Sequence, residues 1–167
     1  MDMAHLHLML NHFPLMGALF GTPILAYALL RKNDSLRNTA LVIFVFAAAI
    51  AIPVYLTGEP AEEIVEHLPG VSHDAIETHE DSALFALWAA IGAGVVSAVG
   101  LILALRAKAA ANTVALIALL FGIVTAGLMA RTANLGGEVR HTEIRGTGTT
   151  QQVEGTSKPE KDDDDDH

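Results

Sequence analysis

Four stretches of this chain, residues 8–30, 40–56, 83–105 and 109–130, are almost wholly apolar and contain no Lys, Arg, Asp or Glu. Each is close to the roughly 20 residues a helix needs to cross a ~30 Å hydrocarbon core. In lipid, every backbone N–H and C=O must be satisfied within the segment, so runs of this length read as helices. Composition agrees: 51% of residues are hydrophobic and 17% charged, with a mean hydropathy of +0.41, too apolar for an ordinary soluble domain. The expected fold is all-α, a membrane-embedded four-helix bundle over residues 1–145.

The connections orient the bundle. Arg31, Lys32 and Arg37 follow the first run and Arg106 and Lys108 the third, whereas residues 57–82 contain acids and no Lys or Arg. By the positive-inside rule, the first and third connections are expected in the cytoplasm and both termini outside, in a multi-pass protein of a bacterial cytoplasmic membrane. The first run lacks a basic leader and exceeds the length of a signal-peptide core, so it is expected to be retained.

On this topology the histidines gather at one face. His5, His7 and His12 open the first helix, His67, His73 and His79 lie in the second connection, and His141 follows the fourth run. None of the eight lies in a cytoplasmic connection. Within residues 57–82, Pro60 with Glu59, Glu62 and Glu63 suits the start of a short outer-face helix. Asp74 and Glu77 have capping-box spacing, predicting a helix from near Asp74 that runs into the third span.

Helical geometry places Ala83, Ala86, Ala90, Ala93 and Ser97 beneath His79 on one face, with Trp88 opposite. Such a strip can admit a flat macrocycle or let two helices pack closely. On the first helix, His5 and His12 are nearly eclipsed, whereas His7 points about 140° away from His12. Gly17 and Gly21 below form a G-x-x-x-G pair.

An imidazole at membrane depth is costly and by default carries a functional hypothesis. Histidine is the usual protein ligand for haem iron, zinc and copper. His12, one turn inside its apolar run, and His79, one turn outside the third, form the expected axial pair. The absence of cysteine excludes covalent haem attachment and thiolate metal sites, so a haem here would be b-type. His7 and His141 would contact propionates or serve as the alternative pair, and Arg131 could neutralise a propionate.

HLMLNHFP, from His7 to Pro14, resembles the H-P-x-x-V-H-F-P opening of a bacterial family of four-helix membrane proteins of unknown function. The two-histidine spacing and the trailing Phe-Pro match; Leu8 and Asn11 stand where the family has Pro and Val. TGE (Thr57 to Glu59), His79, and GGE (Gly136 to Glu138) followed by His141 are also similar, over residues 5–141. The resemblance implies non-covalent haem b, electron transfer, and His7, His12, His79 and His141 as candidate ligand positions.

From residue 146 the chain is polar, ends in five aspartates and a histidine, and is expected to be a disordered tail. With a net charge of −9, no nucleic-acid partner is expected. The sequence therefore favours an electron-transfer component of a respiratory or redox complex, with substrate chemistry left to partner proteins. Two other readings stand beside it. One is an outer-face zinc or copper binding or transport protein using the same histidines with Glu59, Glu63 and Glu80; the other is a structural subunit that binds nothing.

Overall fold

The computed structural model describes residues 2–69 and 71–141; the 146–167 tail lies outside them. The chain forms α1 (Met3–Leu10), α2 (His12–Leu30), α3 (Asp34–Leu56), α4 (Gly58–Val65), α5 (His73–Leu105) and α6 (Ala111–Arg140), with no strand among the described residues. Four helical stretches are long and apolar enough to cross a membrane: Met3–Leu30, Asp34–Leu56, His73–Leu105 and Ala111–Val139. The first is interrupted at Asn11. Pro14 has no N–H to offer the Leu10 carbonyl, so the i→i−4 ladder fails there while the backbone stays near helical angles.

The long helices pack in a ring, α2 on α3, α3 on α5, α5 on α6 and α6 on α2. Small residues line the inside: Ala18, Ala28, Ala40, Ala47, Ala48, Ala86, Ala90, Ala93, Ala115 and Ala118 are buried. Large ones, including Phe20, Phe46, Phe85, Trp88 and Leu120, are exposed. Against lipid a large apolar side chain gains nothing by moving inside, whereas small ones let backbones approach and gain dispersion contact. Phe44, Leu25 and Leu41 are buried large side chains, and Phe44 is the largest of them. Its ring plugs the centre, received by Gly21 of α2 and Gly122 of α6, where added Cβ atoms would stand 2.9 Å from Cε1 and 2.5 Å from Cζ.

Both small-residue motifs are spent on packing. On Gly17 a Cβ would lie 2.7 Å from the Cβ of Ala47, and Gly94 sits directly against Ala48. The strip beneath His79 is covered by neighbouring helices: Ala86, Ala90, Ala93 and Ser97 are all buried. The slot expected for a flat macrocycle along that strip is therefore filled by protein.

Helix α5 starts at His73 and runs unbroken into the third span, as expected from near Asp74, but its N-cap is Ser72 and the Asp74/Glu77 capping box does not form. Helix α6 continues past the fourth apolar run to Arg140, carrying Arg131 and the Gly136–Glu138 motif within the helix. The cause is tertiary: the polar first turns of α5 and last turns of α6 lie side by side, joined by a 2.7 Å hydrogen bond between the Ser82 and Thr132 hydroxyls.

At the opposite end, Arg37 is 6% exposed. It donates to Asp34 at 2.6 Å, to Asn112 of α6, and to Asn38 at 3.3 and 3.2 Å. Asp34 is largely exposed, so its ion pair adds little; the tie to Asn112 joins α3 to α6. Arg37→Ala should cost about 1–3 kcal/mol, the range for losing hydrogen bonds made by a charged, buried side chain. Unfolding of the detergent-solubilised protein measures this, and wild-type stability would show the tie to be idle.

Candidate functional site

The histidine end is built from α1, α4, the end of α3, and the paired ends of α5 and α6. α4 packs on α1 and α3, with Ala61 as its buried contact. This brings the Thr57-Gly58-Glu59 turn beside His7: Gly58 borders the ring, where a Cβ would lie 3.9 Å from Cε1. His7 Nδ1 is 3.0 Å from the Val54 carbonyl and 3.3 Å from the Thr57 hydroxyl oxygen. Val54 lies in the last turn of α3, and its carbonyl accepts from the Thr57 hydroxyl at 2.9 Å as well as from the imidazole.

His79 is held in the same way from the other side. Its Nδ1 is 3.0 Å from the Thr132 carbonyl. The ring lies against Gly136, where a Cβ would stand 3.0 Å from Cε1, 3.3 Å from Nδ1 and 3.7 Å from Nε2. The glycine of the GGE motif thus makes room for a histidine, as the glycine of TGE borders the other.

A carbonyl can only accept, so in both residues Nδ1 carries the proton and, in the neutral ring, Nε2 carries the lone pair. No hydrogen bond among the described residues engages either Nε2. An imidazole oriented by an Nδ1–H to carbonyl bond with an open Nε2 is the usual arrangement of a metal-ligating histidine. Both rings stand at the same end of the bundle, His7 on α1 and His79 on α5.

Beside them, Asn11 lies one helical turn below His7 on the same face, and its Oδ1 is buried with no hydrogen-bond partner among the described residues. A bound water or a ligand hydrogen would satisfy it.

The other expected site residues lie elsewhere. His12 is exposed and spends its Nδ1 on the Leu8 carbonyl of its own helical turn at 3.1 Å. His12 thus lacks the Nδ1 anchor to another helix that His7 and His79 share. Arg131 is exposed on α6, and His141 is exposed at the α6 C-cap, its N–H bonded to the Gly137 carbonyl at 3.0 Å. Comparison with family models, with curated proteins and with solved structures returns no match to this chain. The chemistry of the site must be argued from its own residues.

Of the three positions that orient the pair, only Thr57 stands out in the sequence, as part of TGE, and nothing there gives it this role. Thr132 is an ordinary residue in a run of letters, and Val54 and Thr132 act through backbone carbonyls that any residue has. A signal for Asn11 was available, since Asn11, Pro14, Ala18, Gly21, Leu25 and Ala28 follow i+3/i+4 spacing below His7. All but Asn11 in that series are buried.

On the acidic side, Glu62 of α4 and Glu66 at its C-cap meet His73 at the start of α5, their ligand atoms lying within 4.8 Å of one another. The Glu62 carboxyl is pushed up to about 7, first by the hydrogen bond it shares with Glu80, then by partial burial and by the charges of Glu80 and Glu66; His73 acts in the opposite sense.

Proposed function

We propose that the protein is an integral membrane b-type haem protein that passes single electrons near the outer face of a bacterial cytoplasmic membrane. The observation that carries this reading is the pair His7 and His79: two imidazoles from different helices, each locked by Nδ1–H on a backbone carbonyl, each with Nε2 open. Those two nitrogens would hold the iron, and the group would supply a reversible one-electron couple. The chain's own part is to set the ligand orientation through Val54, Thr57 and Thr132. It would also offer Asn11 as a buried polar contact and exclude water with the packed helices beneath. Arg131 and His141 are placed near the surface, where propionates or a redox partner protein would be met. Catalysis of its own is not part of this reading; the partner complex supplies the substrate chemistry.

Transport is disfavoured by the filled interior. Phe44, Leu25, Leu41, Ala115 and Ala118 close the middle of the bundle with apolar side chains, and the four apolar runs carry no charged side chain to meet a hydrated ion. An oxidised and then dithionite-reduced absorption spectrum of the purified protein tests the proposal: a low-spin b-type Soret band supports it, and zinc or copper without such a band points to the metal-ion reading. Orientation has its own test. Tags at both termini should be accessible to impermeant reagents from outside the cytoplasmic membrane, because Arg31, Lys32, Arg106 and Lys108 flank the other end of the bundle. Protected termini would place the histidine pair on the inner face.

A further inference from the structure

We infer that Glu62, Glu66 and His73, with Glu80 beside Glu62, form a second site, for a divalent transition-metal ion that ties α4 to the start of α5. It is separate from the His7–His79 pair and does not depend on what that pair binds. The donors come from two helices with an irregular connection between them, yet their ligand atoms gather within 4.8 Å. Metal–ligand bonds of about 2.0–2.2 Å put neighbouring donors roughly 3–3.5 Å apart, so small side-chain rotations complete the shell.

A cation would relieve the crowding of like charges at this spot. Glu62 shares a hydrogen bond with Glu80 and feels the charge of Glu66, so three carboxyl groups crowd one spot. Between Arg37 and Arg106 the sequence contains no Lys or Arg that could neutralise them. Among the described residues, His67 stands 3.4 Å from Glu66 and is strongly exposed. Donor chemistry selects the ion: an imidazole among carboxylates suits zinc and its first-row neighbours, whereas calcium and magnesium prefer all-oxygen shells. Bound there, the ion would pin α4 and with it the Thr57–Gly58 turn that borders His7.

Zinc serves as the probe. The full chain, purified in detergent and stripped with a chelator, is titrated with Zn²⁺ in competition with a chromophoric chelator. Wild type is expected to take up one tight equivalent that excess Ca²⁺ does not displace, and His73→Gln and Glu66→Gln are each expected to weaken it by about tenfold or more. His7→Ala and His79→Ala are expected to keep it, which separates this site from the redox proposal. Both ligand positions are exposed, so the variants should fold. The inference is overturned if wild type binds no stoichiometric zinc, if His73→Gln binds as wild type does, or if the equivalent disappears with His7 or His79 instead.

Discussion

His7→Ala and His79→Ala proteins are each expected to lose the low-spin Soret band of haem b while remaining in the membrane, and His12→Ala is expected to keep it. Each of the first two substitutions removes one open Nε2 and leaves a carbonyl, of Val54 or Thr132, without its imidazole donor. A six-coordinate iron held by two histidines would become five-coordinate or leave the protein. His12, exposed and bonded to its own helix, offers nothing that the pair lacks. A Gly136→Val protein gives a finer reading, since its side chain would push directly on the His79 ring; a shifted spectrum or potential is expected with both ligands intact. Retention of the wild-type spectrum by both His7→Ala and His79→Ala would reject the pair. A wild type without haem would reject the electron-transfer proposal and leave the zinc test untouched.

How far the sequence leads is clear from which decisions hydropathy can make. It marks where a segment is soluble in lipid, so four spans are legible from charge-free runs alone. It does not mark where a helix ends, because α6 beyond Ala130 is held by Ser82–Thr132 and His79–Gly136 contacts that hydropathy cannot register. Nor does it say which face points inward. In water, polarity distinguishes the two faces of a helix; in lipid both are apolar, and only residue size differs. The sequence geometry set His7 and His12 on different faces, and the residues below show which of those faces enters the core. Pro14, Ala18 and Gly21 continue the face of His7 into the core.

For the site itself, sequence identifies the chemistry and misses the orientation. A histidine can be seen in a string of letters; a carbonyl of Thr132 poised to accept its proton cannot. The same limit applies to Glu62, Glu66 and His73. Spacing along the chain draws attention to i, i+4 pairs such as Glu63 with His67. The cluster that forms instead joins two helices across the 66–72 connection, a matter of how α4 folds back on α1.

The second large effect expected lies in the packing that supports all of this. Gly94→Ala should destabilise the bundle by about 1–3 kcal/mol or more, the range for forcing extra volume into a filled interior. The added Cβ would run into the Cβ of Ala48, and behind it lie the Phe44 carbonyl oxygen at 3.5 Å and the Val45 Cα at 3.8 Å. These are atoms of a helix backbone, which cannot rotate aside as a long side chain can, so α3 and α5 must separate. Separation loosens the seat of Phe44 and weakens dispersion contact along the ring of helices, where no hydrophobic driving force compensates. Gly127→Ala is the matched control. Nothing lies within 4 Å of the Cβ it would add, so only backbone preference changes, and stability should be unchanged or rise by up to about 1 kcal/mol. Thermal or denaturant unfolding of the two detergent-solubilised variants measures the difference directly. Equal stabilities would mean that the α3–α5 contact at Gly94 is looser than described, and the size-sorted packing argued for this bundle would fail at its tightest point.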